Sequence, residues 1–335
     1  MNHEKNKTLQ RTLFVIDKIE LKYYEFNNLV TNFWLIKELL ERDQEIFITT
    51  IDKLGLSQAK AYANCTKSFL KGENIYLEEK FENIEVENFD LVMFRPDPPV
   101  DLDYINATFI LDFVDKEKTL ILNDTKAIRD FNEKLHANWF NEFMPENIVT
   151  SSKEDITKFL AKNQEIILKP LNRCFGAGVM YLKHGDKNTS SIINTMTNNQ
   201  STLIMVQKYI SNAQFGDKRV LLLGGEVLDE CVVKLPSGDD FKFNNHSDDY
   251  IKKATLSESE KAKFKQVAQK LNEMGIVMAG LDVIDEQIIE INVTSPCFFI
   301  KEINNYFSTN MEKKITDCLL NVKKSLFNTD CVKKF

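Results

Sequence analysis

Residues 280–296 read Gly280-Leu281-Asp282-Val283-Ile284-Asp285-Glu286-Gln287-Ile288-Ile289-Glu290-Ile291-Asn292-Val293-Thr294-Ser295-Pro296. Val283, Ile284, Ile288, Ile289, Ile291 and Val293 give strand-forming bulk on both sides of a polar Asp-Glu-Gln tip, which predicts a β-hairpin. A tight turn centred on Glu286 sets Asp282 opposite Glu290. Glu290 and Asn292 are two residues apart, so their side chains leave the same face. Two carboxylates and an amide oxygen then converge on a small volume, and carboxylates that close repel unless a cation sits between them. Hard oxygen ligands suit Mg²⁺, which usually also holds nucleotide phosphates. A hairpin with a solvated acidic face has the same local pattern, so the decision between the two rests on what lies upstream.

Two lysines and a basic strand lie there. Glu165-Ile166-Ile167-Leu168-Lys169-Pro170 is a short strand of buried type that ends in a lysine. The loop Leu171-Asn172-Arg173-Cys174-Phe175-Gly176-Ala177-Gly178 leads from it into a second strand, Val179-Met180-Tyr181-Leu182. Such a unit can fold over phosphates and donate backbone N–H groups to them. It is not a Walker loop, because no G-K-[ST] follows and no helix begins there. Lys134 belongs to a predicted helix capped by Asn123 or Asp124, with apolar positions Ile128, Phe131, Leu135 and Trp139. Met205-Val206-Gln207-Lys208-Tyr209-Ile210 is a strand running into a polar linker, and an exposed strand edge can pair with an adenine edge. Gly216-Asp217-Lys218-Arg219 is a charged entry into the strand that continues through Leu223. The Arg219 fork could reach a phosphate or a carboxylate from there.

The first third of the chain has a different rhythm. Thr12–Asp17, Glu45–Thr50 and Asp90–Arg95 read as buried strands, with an apolar-periodic helix carrying Trp34, Leu35, Leu39 and Leu40 after the first. This β-α-β alternation predicts an open parallel sheet. A helix near Tyr104–Val114 and the strand Leu120-Ile121-Leu122 complete that unit. From Asn123 onward strands pair through short loops, and Glu258–Met274 and Asn310–Leu326 are amphipathic helices.

Composition narrows the class. At 335 residues the length suggests two domains, and 43% hydrophobic residues support a sizeable core. A net charge of −7 argues against a nucleic-acid partner. The start, Met1 to Lys7, is charged and has no apolar h-region, so no signal peptide is expected, and no apolar run is long enough for a membrane span. The six cysteines, Cys65, Cys174, Cys231, Cys297, Cys318 and Cys331, are scattered and form no C-x-x-C. Free thiols in a reducing cytoplasm fit that spacing best. Cys174 and Cys297 fall in suspected active-site loops. His246 lies in a polar stretch and reads as solvated.

In order, these segments resemble the ATP-grasp ligases, and within them bacterial glutathione synthetases. The anchors are Arg95-Pro96-Asp97-Pro98-Pro99, Asn106–Leu111, Asn132-Glu133-Lys134-Leu135, Ile167–Leu171, Gly216–Val220 and Glu290–Pro296. The resemblance covers nearly all of the chain beyond Leu91. It implies a mixed α/β and α+β architecture, an ATP-grasp fold over 124–335 with a lid about 149–210, preceded by an open parallel-sheet domain over 1–123. By the same resemblance Lys134, Lys169 and Gly176 would contact ATP phosphates, Gln207, Tyr209 and Ile210 would meet adenine, and Asp217 would face the ribose side. Asp282, Glu290 and Asn292 would hold two Mg²⁺ ions, with Mn²⁺ as the alternative metal, and Arg219 would stabilise an acyl-phosphate. Arg95, Lys234, Asn244 and Ser295 would bind substrate. The implied reaction joins γ-glutamylcysteine and glycine with ATP, in a cytoplasmic homo-oligomer (dimer or tetramer). An ATP-grasp ligase with another carboxylate or amine, or an inactive nucleotide-binding relative, is the alternative.

The departures from the family pattern sit on the substrate side. The phosphate loop Asn172–Gly178 has fewer glycines than the family's, which begins Asp-Gly. The stretch Lys242–Ile251 keeps only Asn244 and a basic residue, Lys242 in place of Arg. Lys234 also stands where the family usually has Arg. The family's Lys-Asp-Ser-Ser motif is replaced by Tyr24–Leu29, and Cys297–Glu302 lacks its Thr. Both polar loops are expected to act as lids, since an acyl-phosphate must be shielded from water.

Overall fold

The computed structural model describes residues 11–18, 28–174, 176–236 and 250–328. Three sheets organise them. In the first, β1 (Arg11–Ile16), β2 (Glu45–Thr50), β7 (Leu91–Phe94) and β8 (Leu120–Leu122) run parallel in the order β2-β1-β7-β8, with β8 at one edge. These strands are apolar on both faces, as a covered parallel sheet requires. The alternation that predicts this parallel sheet misses its other half. Antiparallel β3 (Leu54–Ser57), the long β4 (Lys60–Lys71), β5 (Asn74–Leu77) and β6 (Glu82–Glu85) extend it beyond β2. β4 is short on large aliphatics and buries Ala61, Ala63 and Cys65, so its hydrophobic signal is weak.

The second sheet has the order β11-β10-β12-β9, built from β9 (Asn147–Thr150), β10 (Glu165–Pro170), β11 (Met180–Lys183) and β12 (Ile204–Lys208), all antiparallel. The helices Lys153–Asn163 and Thr189–Met196 cover it around Ile156, Leu160, Ile166, Leu168, Ile193 and Val206. The third has the order β16-β15-β13-β17-β18, with β13 (Asp217–Leu223), the short β14 (Glu226–Val227) beside it, β15 (Cys231–Lys234), β16 (Ile251–Ala254), β17 (Met278–Ile284) and β18 (Gln287–Asn292). The helix Glu258–Glu273 packs on it behind a capping box of Ser257 and Glu260.

Asn123 joins the first sheet to the third. Its amide donates to Met278 O and Val293 O and accepts from the N–H groups of Val277 and Met278, all within 2.7–2.9 Å. The cap of the next helix is therefore Asp124, whose Oδ1 accepts from Ala127 N at 3.0 Å. That helix covers only Thr125–Asp130 and does not reach Trp139 as the apolar spacing predicts. Asn132 stops it: its Oδ1 accepts from Lys134 N and Leu135 N, turning the chain before a 3₁₀ segment at His136–Phe143. Leu135 and Trp139 are consequently exposed. Among the described residues no helix is long and apolar enough to cross a membrane.

Candidate active site

The second and third sheets face each other across a cavity of about 290 Å³. Ile167, Lys169, Gln207, Lys208, Tyr209 and Ile210 line one side, and Asp217, Arg219, Lys234, Asp282, Glu290 and Asn292 line the other. Gly176 of the phosphate loop, Ser295 and Cys297 also border it.

The hairpin forms with Asp282 opposite Glu290, but by a different route from a turn centred on Glu286. The turn has two residues, Asp285 and Glu286, both with positive φ, as a tight hairpin of matching twist requires. Ile284 then pairs with Gln287 and Val283 with Ile288. A bulge at Ile289 restores the Asp282–Glu290 register. Asn292 Nδ2 donates to Asp282 Oδ1 at 2.9 Å, so the three side chains do converge.

Each carboxylate already has a cation beside it. Lys134, only 4% exposed, sends its ammonium to Glu290 Oε1 at 2.6 Å and to Arg173 O at 2.7 Å. Arg219 donates to Asp282 Oδ1 at 2.5 Å through Nη1. Its Nε and Nη2 take both oxygens of Asp217 at 2.8 Å. Asp217 thus faces Arg219 and holds its fork. Gly216 makes that entry possible: its φ is +100°, and a side-chain carbon there would sit 2.5 Å from Lys234 O. Burial raises the Asp282 carboxyl most, with Asp217 and Glu290 adding to it and Arg219 opposing. An oxygen-only set of two carboxylates and one amide suits a hard divalent cation that shares its shell with phosphate oxygens. Among the described residues no three His, Cys, Asp or Glu side chains gather to hold a metal by themselves.

Lys169 is 7% exposed and donates to Gln207 Oε1 at 2.8 Å and to Ile289 O at 3.2 Å. Burial lowers its pKa to about 8, with Glu290 opposing. β12 is an inner strand, between β10 and β9, so Gln207 has no free backbone edge, contrary to expectation. Tyr209 N bonds Glu165 O, and the exposed backbone begins at Ile210, whose N–H has no partner among the described residues. The Gln207 Nε2 is buried without a partner.

Lys234 is buried on β15 and its pKa is lowered, by burial first and then by Arg219. Arg95 does not line the cavity. It lies behind the wall, donating to Asn32 Oδ1 at 2.6 Å and Pro296 O at 2.9 Å, with Ser295 Oγ at 3.5 Å. The phosphate loop is held at three points: Asn132 Nδ2 to Leu171 O, Lys134 to Arg173 O, and the Cys174 thiol to Pro98 O at 3.3 Å. Burial pushes the Cys174 thiol up to about 11, which makes it a poor nucleophile at neutral pH. Arg173 is exposed. Phe175, Lys242, Asn244, His246, Cys331 and the stretch Tyr24–Asn27 lie outside the described residues.

Asp97 and Glu133 also line the cavity, and the sequence reading assigns neither. Both sit in the anchors Arg95–Pro99 and Asn132–Leu135, so their positions carried the signal.

Residues 11–129 match the prokaryotic glutathione synthetase N-terminal domain, and residues 133–308 match the prokaryotic glutathione synthetase ATP-grasp domain. The chain belongs to the prokaryotic glutathione synthetase family. Among the family's curated members, glutathione synthetase of Vibrio parahaemolyticus is 36% identical over 291 residues, 86% of this chain and 92% of that protein. Glutathione synthetase of Escherichia coli K12 is 33% identical over 294 residues, again 86% and 92% of the two chains. Solved structures share the ATP-grasp fold at 12% identity. A D-cycloserine synthetase superposes with a TM-score of 0.65 over 94% of this chain and 100% of its own. D-alanyl-alanine synthetase A of Vibrio cholerae does so with 0.59 over 95% and 100%. The glutathione synthetase relationship therefore rests on sequence, and these structures speak to the fold.

Proposed function

We propose that this chain joins γ-glutamylcysteine to glycine with ATP, giving glutathione, ADP and phosphate. It is an ATP-dependent carboxylate–amine ligase. The observation that carries the reading is the convergence of Lys169, Arg219, Asp282, Glu290 and Asn292 on one cavity in a chain of this family. The donor carboxylate attacks the γ-phosphorus and ADP leaves. The glycine nitrogen then attacks the acyl carbon, phosphate leaves, and the amine gives up a proton.

The residues at and around the cavity divide the work. Lys169 has three N–H groups and uses two on the protein, leaving one for a phosphate oxygen. Lys134 secures Glu290 and the phosphate loop together, and Gly176 brings that loop against the nucleotide. Ile210 presents backbone to adenine beside the Tyr209 side of the cavity, and the free Nε2 of Gln207 is an added donor there. Arg219, held in place by Asp217, stabilises the charge that grows on the acyl-phosphate and the tetrahedral adduct. Asp282, Glu290 and Asn292 hold Mg²⁺ (two ions, or Mn²⁺), which when bound neutralises phosphoryl oxygens. Lys234, Ser295, Arg95 and Asn244 serve the amino-acid substrates, Arg95 by supporting Ser295 and Pro296.

The same reading divides the chain near residue 123, with the sheet of β9–β12 as a lid of about 149–210. The phosphate loop closes over the nucleotide. Free cysteines among the described residues fit a reducing cytoplasm, and we place the enzyme there as a homo-oligomer. ADP release with γ-glutamylcysteine, glycine and ATP, each omitted in turn, tests the function. Release that needs all three is expected. Release indifferent to the dipeptide, or seen only with other donors, would overturn it.

A further inference from the structure

Two thiols border the cavity, and the charges around them differ. Cys174 sits beside Asp97 and Glu133. Its thiol donates to Pro98 O at 3.3 Å, and after burial these two carboxyls are what disfavour its thiolate most. Cys297 lines the cavity just past Pro296 and is exposed and free. It precedes the helix Ile300–Phe307, whose N-cap, Phe299, makes no side-chain cap. Burial raises this thiol and Glu302 adds to it, whereas the Phe299 N–H donated to its sulfur, Arg219 and Lys234 all work the other way. Helix N-termini and neighbouring cations favour the thiolate, which is the form that attacks disulfides.

An independent sign comes from Lys234. It is 4% exposed yet lines the cavity, and its ammonium has no hydrogen-bond or ion-pair partner among the described residues. The Phe299 ring centroid lies 6.0 Å from it. Asp217 and Asp282 act on it from nearby, but both are already bound to Arg219. A buried ammonium without a counter-ion is costly, and an anion entering the cavity would relieve that cost. Lys234 and Cys297 each act on the other's charge. A ligand that carries both a carboxylate and a sulfur–sulfur bond satisfies the two together.

We propose that Cys297 is a reversible modification site, at which a disulfide of a γ-glutamylcysteine peptide forms a mixed disulfide while Lys234 holds one of its carboxylates. The Cys297 thiol gives up its proton, its sulfur attacks one sulfur of the disulfide, and the S–S bond breaks. The departing half leaves as a thiolate and takes up a proton, so Cys297 is oxidised and that half is reduced. The attached half occupies the cavity and stops ligation until an excess of free thiol reverses the exchange. The inference rests on the glutathione synthetase reading, which makes such peptides the enzyme's own substrate and product. The disulfide of γ-glutamylcysteine and that of glutathione share this chemistry, and the arms of the test separate them.

The full chain, reduced and freed of small thiols, is incubated with each peptide disulfide and with 2-hydroxyethyl disulfide, which has no carboxylate. Intact mass, peptide mapping and ADP release relative to each untreated sample are followed. Wild type should gain one peptide half at Cys297, lose ADP release in proportion, and recover with dithiothreitol. The peptide disulfides should react about tenfold faster than the uncharged one, the lower end of what a charged cleft gives by focusing. Whichever peptide disulfide reacts faster is the main source. Lys234→Met should abolish the advantage of the charged disulfides while still reacting with 2-hydroxyethyl disulfide. Cys297→Ser should gain no peptide half and hold its own untreated rate, and Cys174→Ser should be modified like wild type. Modification at Cys174 instead, equal inactivation of Cys297→Ser, or equal rates for charged and uncharged disulfides in wild type would overturn the proposal. Modification at Cys297 in a chain that releases no ADP with γ-glutamylcysteine and glycine would overturn the function and leave the thiol site standing.

Discussion

Replacing Asp217 by Asn removes the support of Arg219 while keeping its shape. Asp217 takes Nε and Nη2 of Arg219 in two parallel bonds of 2.8 Å, and Nη1 reaches Asp282 at 2.5 Å. An amide offers one acceptor and one donor, so one of the two bonds becomes a donor facing a donor. Loss of a charge-assisted hydrogen bond costs about 1.5–3 kcal/mol. Burial raises Asp217 above the ordinary carboxylate range and Arg219 only partly opposes it, so the intact pair adds little net stability. The cost of the variant comes instead from the guanidinium left behind, about 3–5 kcal/mol when a buried partner is lost outright. Asp282 retains part of the compensation, which sets the expected loss at about 2–4 kcal/mol. For 335 residues unfolding as a unit, at about 2.1 cal/mol/K of unfolding entropy per residue, this is a fall of about 3–6 °C in Tm.

The catalytic effect should be larger than the structural one. Removing one preorganised donor to a developing oxyanion costs about 10²–10³ in kcat, and a misdirected Arg219 should approach the lower figure. ADP release at saturating substrates, thermal melting and titration of an ATP analogue measure the three quantities. The expected result is kcat down about 100-fold, Tm down as above, and nucleotide affinity nearly intact. A lower Tm with kcat unchanged would refute the positioning role of Asp217. Wild-type values of both would show that the ion pair contributes nothing.

Glu290→Gln should abolish turnover in a folded protein. Gln still accepts from Lys134, so the stability loss should stay under about 2 kcal/mol, and near-normal ADP release would remove Glu290 from the metal set. Lys169 has a folded pKa of about 8, depressed from 10.5 by burial. The unfolded chain therefore binds the extra proton between these values, and this residue makes the ligand-free protein more stable as pH rises through that window. Nucleotide binding runs the other way: above pH 8 a neutral amine must take up a proton to meet phosphate, so affinity for an ATP analogue should fall, approaching tenfold per pH unit. Lys169→Arg should flatten that fall, and an equally steep decline in the variant would assign it to another group.

Much of this site was legible because its chemistry lies on strands, where alternation tells which residues share a face. Asp282, Glu290 and Asn292 could be placed together from spacing alone. Asp217 and Arg219 are also two apart on one strand, and the same rule could have paired them with each other rather than with separate parts of a nucleotide. The Lys134 helix was misplaced because the apolar period runs on through Leu135 and Trp139, whereas a side-chain bond from Asn132 ends the helix. Asp97 went unassigned because its nearest acid, Asp17, is 80 positions away, and only the adjacency of β1 and β7 joins them. The hairpin shows the limit most clearly. Period-two counting gives the right partner for Asp282 with a three-residue turn, but the chain uses two residues and a bulge. The two solutions place Glu290 alike and differ at Ile289. At the bulge its carbonyl accepts from the Lys169 ammonium. The irregularity that alternation cannot register thus supplies an acceptor to the buried lysine of the opposite sheet, and so couples the metal-side hairpin to the phosphate-side strand.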